Sequence, residues 1–595
     1  MLVAAEDGKT ADGPNGPSGP HAPRRLMVGA GGGARHVPTL MTTAILVGIS
    51  AIGMAAAAPA GTSDTGSTTV DAPADHIARA SVTDVVTLRP LHASNDLRIV
   101  DDLDRDTVLR GANLNSLGEY WQGVPNVPAT IAVTDDDWAS MAANGMSVVR
   151  LIITWSKIEP QPGQIDQTYL DAVDAQVVAA ARHGIYSVID MHQDAWSPFI
   201  ATTDPGSCPT GTVPGKGWDG APAWATITDG ASTCTPTGDR YAAPAVLAAF
   251  NNFYVNRNGI QDRFVATWAA VATRFAGRPE VAGYDLLNEP AVPRPAAEIA
   301  PLYNALIRDL VNAVRSAESV AGSTFRHLIF VEPALPAGDI TNGIVIPDPT
   351  SVGLTPIDIV GAPHNYAESI GIPGVASTVE QLNELYLGVT RNLGVPLWIG
   401  EYGYWDTSPQ TMEKVRRHAA DDDRLAIGGA WWQWRQSCGD PHAVFWDNGQ
   451  VVAPDGESTH LNRLGCPGNT DLGPNEAFLE VLGRAYPRST PGRITTLRSD
   501  PESGVFLLAA STPVAGVAGG DVVIWVPDQG AEPGPTPTVE NLVDVHETAV
   551  PGGRILRGIV AQPGCYAVHL SDTTTACPTA NNTPAVPIVT PTFTG

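Results

Sequence analysis

Two glutamates stand out by their neighbours. Glu289 sits in Asn288-Glu289-Pro290 directly after the run Val281-Ala282-Gly283-Tyr284-Asp285-Leu286-Leu287, and Glu401 sits in Ile399-Gly400-Glu401-Tyr402-Gly403 after Pro396-Leu397-Trp398. Each follows a short β-rich run, so each is expected at the C-terminal end of a strand. Two carboxyl groups facing one cleft suit cleavage of a glycosidic bond, one protonated to assist the leaving oxygen and one ionised to attack the anomeric carbon. Glu289 must then hold its proton near neutral pH, through burial or the nearby charge of Glu401. Glu401 must stay ionised, which Arg150 and the Tyr366 hydroxyl would support. Asn-Glu-Pro alone says little, since it arises by chance in about one chain in fifteen of this length. A second acid after another strand gives it weight.

The elements that must position these acids are legible from 101 to 487. β-rich runs at 107–113, 146–153, 185–191, 281–287, 327–331, 357–362, 395–399 and 426–434 alternate with helix-like segments at 167–183, 262–275, 296–319, 379–393 and 411–420. This alternation predicts an α/β fold, a (β/α)8 TIM barrel with long loops, against the competing doubly wound sheet. From 488 to 578 the alternation is lost. Strand-like runs at 505–510, 521–525, 555–560 and 565–570 predict a small C-terminal β-sandwich, followed by a flexible tail at 579–595. The sandwich shows no run of aromatics suited to sugar stacking, which favours a structural role for it.

Residues 40–60 are uncharged, follow Arg24, Arg25 and Arg35, and end in Ala58-Pro59-Ala60. The pattern predicts that 1–60 is a disordered leader with a secretory signal or an uncleaved membrane anchor, that 61–100 is a linker, and that the protein is secreted or held at the cell surface. Six cysteines fall into three sequence-local couples, Cys208 with Cys234, Cys438 with Cys466 and Cys565 with Cys577, expected as disulfides behind an export signal. None has zinc-site or redox spacing, and there is no G-x-S-x-G elbow, H-E-x-x-H or EF-hand loop, so neither cofactor nor metal is expected. The net charge of −27, from 35 basic and 62 acidic residues, repels phosphate backbones and excludes nucleic acid as a partner.

Over roughly 101–487 the motifs resemble glycoside hydrolase family 5, the retaining, cellulase-like (β/α)8 family. Arg150 is similar to that family's active-site arginine, and His192 in Asp190-Met191-His192-Gln193-Asp194 to its third-strand histidine. His364-Asn365-Tyr366 resembles its sixth-strand His-x-Tyr, and Trp431-Trp432-Gln433-Trp434 its aromatic eighth strand. The resemblance implies that Glu289 is the acid/base, Glu401 the nucleophile, and Asn288 a contact to the sugar 2-hydroxyl. Arg150, His192, Asp194, His364, Tyr366, Trp432 and Trp434 are the further substrate-binding candidates. If the last strand runs through 434, alternation puts Trp432 and Trp434 on one side of it, with Trp432 favoured as the floor under the sugar.

Narrower features point within the family. The run 191–197 and Gly220-Ala221-Pro222-Ala223-Trp224-Ala225-Thr226 followed by Thr228-Asp229-Gly230 resemble endoglycoceramidases, which release an intact glycan from ceramide, and Tyr486-Pro487-Arg488 resembles their domain junction. The insertion between Cys208 and Cys234 departs from their pattern. Trp196, Pro198, Phe199, Ile200, Trp218 and Trp224 are candidates either to shelter a lipid tail or to pack a loop under the disulfide. The implied partner is a carbohydrate or glycolipid, with membrane-surface contact through the substrate. The competing readings are an endo-β-glucanase or mannanase, and a non-catalytic carbohydrate-binding wall protein. Glu159 and Glu332 also follow strands but lack a paired acid and are read as structural, and Asp135-Asp136-Asp137 as a helix cap.

Overall fold

The computed structural model describes residues 80–236, 238–370, 377–447, 450–513, 520–528, 535–571 and 576–577. The apolar segment at 40–60, residues 61–79 of the expected linker and the tail at 579–595 lie outside them. Among the described residues no helix is long and apolar enough to cross a membrane.

Eight parallel strands form the central sheet: β1 Arg110–Leu114, β2 Val148–Thr154, β3 Tyr186–His192, β4 Val281–Asp285, β5 Leu328–Val331, β6 Ile359–Gly361, β7 Ile399–Tyr402 and β8 Gly429–Trp431. β1 to β6 pair in sequence order, and β8 pairs with both β1 and β7. The ring shuts between β6 and β7: Gly361 and Leu397 bridge in parallel, Trp398 N donates to Gly361 O at 3.0 Å, and Gly361 N donates to Pro396 O at 2.9 Å. Closure selects the barrel over the doubly wound sheet, which keeps two open edges. The helices Gln167–Arg182, Ile260–Phe275, Ala296–Val320, Val379–Leu393 and Pro409–Leu425 lie within or around the predicted segments.

Strand periodicity carries the core into the site. Val148, Val188, Phe330, Ala362 and Ala430 belong to the cluster that fills the barrel. Side chains two residues on point the same way. The next inward positions within the strands are therefore Arg150 and Asp190, with His192 beyond it, and Glu332, His364 and Trp432 follow just past the ends of β5, β6 and β8. Every position of β2 and β3 is buried, as strands covered on both faces require.

The C-terminal region forms two antiparallel sheets from β9 Tyr486–Pro491, β10 Arg493–Asp500, β11 Val505–Thr512, β12 Asp521–Pro527, β13 Thr538–Glu540, β14 Leu542–Val550, β15 Gly553–Val560 and β16 Gly564–Leu570. One sheet runs β10-β11-β16-β13. The other runs β9-β12-β15-β14, and short strands at Leu91–Ala93, Ile99–Asp101 and Arg105–Asp106 continue it past β9. The stretch expected as a linker over 61–100 thus already contributes two strands, because Leu91 and Ile99 find apolar cover that their polar neighbours concealed.

Barrel and sandwich share a tight seam. Trp525 of β12 donates Nε1–H to Gly483 O at 2.9 Å, and a Cβ at Gly145 would lie 2.2 Å from that nitrogen, so only glycine fits beneath the indole. Asp423 accepts from Arg110 at 2.5 Å, from Arg484 at 2.9 Å and from Ser499 N of β10 at 3.0 Å. The three disulfides are Cys208–Cys234, Cys438–Cys466 and Cys565–Cys577, the couples expected from their spacing.

Candidate active site

Arg150 is the hub of the barrel mouth. Its side chain is fully buried, and its three nitrogens reach Asp190 at 2.9 Å, Asp285 at 2.9 Å, Glu332 at 3.0 Å and Glu401 at 2.8 Å. They also donate to Asn113 Oδ1 at 3.1 Å and Asn288 Oδ1 at 3.0 Å. Burial works against a charge here, but the four carboxylates outweigh it and hold the guanidinium pKa well above its ordinary value. One cation cannot neutralise four anions, and burial with its acidic neighbours pushes Asp285 up to about 8.

Glu289 follows β4 on a backbone bent to φ +38°, a region that side chains disfavour. The bend is pinned on both sides. Glu289 N donates to Glu332 Oε2 at 2.9 Å, and Gln193 Nε2 donates to the carbonyls of Asn288 at 2.8 Å and Glu289 at 2.9 Å. Glu401 on β7 is held by Arg150 through one oxygen and accepts the Tyr366 hydroxyl on the other at 2.9 Å. His364 stands between the two acids, with Nδ1 2.9 Å from Glu289 Oε1 and 3.4 Å from Glu401 Oε2, and Nε2 3.3 Å from Glu332 Oε1. Gly400 makes room for that ring, since a Cβ there would sit 3.0 Å from two of its atoms. One oxygen of Glu289, one of Glu401 and one nitrogen of His364 all lie within 4.8 Å of one another.

The protonation pattern differs from the sequence expectation. Burial pushes Glu401 up, although His364 and Arg150 oppose it. Glu289 moves down: burial would raise it, but the hydrogen bond and charge of His364 outweigh burial. His364 itself is held well above an ordinary imidazole, because Glu332, Glu401 and Glu289 together exceed the penalty of burying its charge. Both shifts act in one direction, favouring a charged His364 beside an ionised Glu289 across a single 2.9 Å hydrogen bond. Sequence neighbours could not show this, since the three groups come from β4, β6 and β7.

The ring of Trp432 is stacked on His192 at 5.5 Å and 16° and tilted against His442 at 5.3 Å. His192 Nδ1 is 2.7 Å from Asp190 Oδ2, and its Nε2 is 3.3 Å from Asn288 Nδ2. Asp194 is paired with Arg240 at 2.6 Å and His442 at 3.3 Å and accepts the Tyr241 hydroxyl at 3.2 Å. Arg240, Tyr241 and His442 come from long loops and had no signature in the sequence. Near them Asp219 is fully buried, neither of its carboxyl oxygens has a hydrogen-bond partner among the described residues, and burial pushes it up to about 8. His192, Asp194 and Asp219 each bring a possible ligand atom within 4.8 Å of the others, but Asp194 is already engaged by Arg240 and His442.

One expectation is overturned and two are sharpened. Trp434 does not share the side of Trp432: β8 ends at Trp431, alternation stops with it, and Trp434 is buried with Nε1 donating to Asp137 at 3.1 Å. Glu332, read as structural, underpins both Arg150 and the Glu289 backbone. The apolar set after β3 is largely a packed loop. Trp196 and Ile200 are buried, Trp224 packs edge-on to Trp155 at 5.3 Å and donates to Glu159 O, Trp218 lies under Arg240, and Phe199 is exposed. Glu159 serves that packing through Arg263, Thr267 and Trp155. Asp137 forms a capping box with Thr134.

A closed (β/α)8 barrel with paired acids after β4 and β7 defines a glycoside hydrolase. The family model for cellulase, glycosyl hydrolase family 5, matches residues 115–437, and the chain belongs to that family. It is 26% identical over 432 residues to endoglycoceramidase I of Rhodococcus hoagii, covering 69% of this chain and 74% of that protein. The crystal structure of an endogalactoceramidase superposes with a TM-score of 0.71 at 35% identity, covering 81% of this chain and all of the other. Endo-glycoceramidase II from Rhodococcus sp., solved with ganglioside GM3, shares the fold with a TM-score of 0.58 at 24% identity, over 80% of this chain and 99% of the other.

Proposed function

We propose that the chain is an exported retaining β-glycosidase that releases the glycan from a glycosphingolipid. The observation that carries the mechanism is the spacing of the acids: carboxyl oxygens within 4.8 Å suit the roughly 5–5.5 Å separation of retaining sites and leave no room for the water of an inverting one. Glu401 attacks the anomeric carbon while the bond to the leaving oxygen breaks and that oxygen takes a proton from Glu289. As the ester forms, Glu401 loses its negative charge, which was helping to hold the proton on His364. In that same step the proton shifts across the 2.9 Å bond to Glu289, which passes it to the leaving oxygen as the glycosidic bond breaks. In the second half Glu289 accepts a proton from water, the water oxygen attacks the anomeric carbon, and Glu401 is released.

The lipid aglycone is supported by the similarity to endoglycoceramidases and by the loops on the Glu289 side. There Ala291–Val292 pairs in parallel with Leu335–Pro336, and Leu335 and Ile344 are exposed. Export is supported by three intrachain disulfides. The test is hydrolysis of a ganglioside or glucosylceramide in detergent against carboxymethyl-cellulose, with Glu401→Gln as the blank. Release from lipid that vanishes in the variant supports the reading; cleavage of glucan alone overturns the lipid assignment, and activity surviving in the variant overturns the mechanism.

A further inference from the structure

The paired acids stand at the C-terminal ends of the barrel strands, and a polar cavity lies at the other end. It measures about 560 Å³ and opens beside Leu109, Trp398 and Gly428, each the last residue before β1, β7 or β8. The helix Val379–Leu393, residues 95–99 and the start of β10 complete its wall. In (β/α)8 enzymes this end is remote from catalysis.

Four arginines line the cavity, Arg98, Arg391, Arg424 and Arg493, against three acids. Arg424 is already engaged, by Asp421 at 2.7 Å and Glu384 at 2.8 Å. Arg98 uses one terminal nitrogen, which donates to Leu425 O at 3.2 Å and Ala426 O at 2.8 Å. The side chains of Arg391 and Arg493 have no ion pair or hydrogen bond among the described residues. Acidic residues outnumber basic ones 62 to 35 in this chain, so two arginines without a carboxylate run against its composition. Both also crowd Arg98: burial pushes its pKa down, and the charges of Arg493 and Arg391 add to that push while Asp106 opposes it. Asp106 is itself buried and accepts from Ile494 N at 3.1 Å.

Like charges gathered around one space are relieved when an anion sits among them. Guanidinium groups suit this, because each offers parallel N–H donors that match the oxygens of a phosphate or carboxylate. The volume exceeds what a bare phosphate needs and falls in the range of small-molecule sites, and the exposed Asp96 on the same wall can accept a hydroxyl. We propose that this cavity binds a small oxyanion, a phosphate or carboxylate group either free or carried on a sugar, between Arg98, Arg391 and Arg493. The bound anion ties the helix Val379–Leu393 and β10 to the foot of the barrel.

This does not rest on the glycosidase reading, because binding is read directly. The full chain is titrated calorimetrically with sodium phosphate at constant ionic strength, and its unfolding midpoint is compared in phosphate and chloride. Wild type is expected to bind phosphate and to unfold at a higher temperature in it. Arg391→Gln/Arg493→Gln removes two charges without stranding a partner and should weaken binding about tenfold or more. It should keep only the general salting-out part of the thermal shift, while Arg391→Lys/Arg493→Lys recovers part of the binding. Its kcat/KM on glycolipid should stay within about twofold of wild type, since the acids are at the other end. Glucose 6-phosphate and glucuronate, run against glucose, tell the source: binding tighter than phosphate that the double Gln variant loses assigns a sugar-borne group, and weaker binding assigns the free ion. Absence of phosphate binding in wild type overturns the proposal, as does binding that the double Gln variant leaves unchanged.

Discussion

The barrel mouth and the seam beneath the sandwich each bury a charged hub, and the two are built in opposite ways. At the mouth one cation, Arg150, serves four carboxylates, and Asp285 and His364 beside it are driven far from their ordinary protonation. At the seam one anion, Asp423, is clasped by two arginines and a backbone N–H, and Arg484 also donates to Ala419 O at 2.8 Å. An excess of anions around a cation makes proton positions easy to move, which suits catalysis. An excess of donors around an anion leaves it nothing to exchange, which suits a staple.

The contrast can be broken most sharply at its reactive end. Glu401→Gln should cut kcat by roughly 10⁴-fold or more while leaving the unfolding midpoint unchanged or higher, since a buried charge is removed from the crowded side of the hub. Glu289→Gln should cost about 10²–10⁴-fold on a lipid glycoside and much less on an aryl glycoside whose leaving group needs no proton. Measured together on the two substrates, these variants separate nucleophile from acid.

Truncating the hubs comes next. Asp423→Ala strands two buried arginines and should cost about 3–5 kcal/mol in denaturant unfolding, with kcat/KM of the folded protein nearly unchanged. Arg150→Met strands four acids and should lose comparable stability and activity together. If Asp423→Ala lowers activity in folded protein as strongly as Arg150→Met, the division of labour between the hubs fails.

His364 tests the proton account. Its charge opposes the upward push of burial on Glu401, so its removal raises the nucleophile's pKa. Glu401 must be ionised to attack, and the acid limb of the pH–kcat/KM profile of His364→Asn should therefore move to higher pH. A limb that stays in place or moves down would contradict the assignment. The smallest effect is expected at Trp434→Phe, which loses the bond to Asp137: about 1 kcal/mol of stability with KM unchanged, against a raised KM for Trp432→Ala.

Much of the barrel was readable because parallel strands buried on both faces leave continuous apolar runs in the sequence, as β2 and β3 do. The acids were readable because each directly follows such a run. Strand ends were less so: alternation projected past Trp431 placed Trp434 beside Trp432, whereas the regular ladder with β1 ends at Trp431 opposite Ala112 and only Trp434 N reaches back to Asn113 O beyond it. Arg240 and His442 left no local signal, since their shared partner Asp194 lies far from both along the chain.

The sequence by itself determined the element types, their order, the pairing of cysteines close along the chain, and the two acids with their strand-end positions, all properties of local pattern. Only the tertiary structure decided that His364 lies between those acids, that Glu332 supports the strained Glu289 backbone, and that residues 91–106 extend the sandwich sheet. These depend on which strands become neighbours and on how burial and charge from several of them add at one point. No stretch of sequence contains that sum, because Coulomb interactions and desolvation act through space.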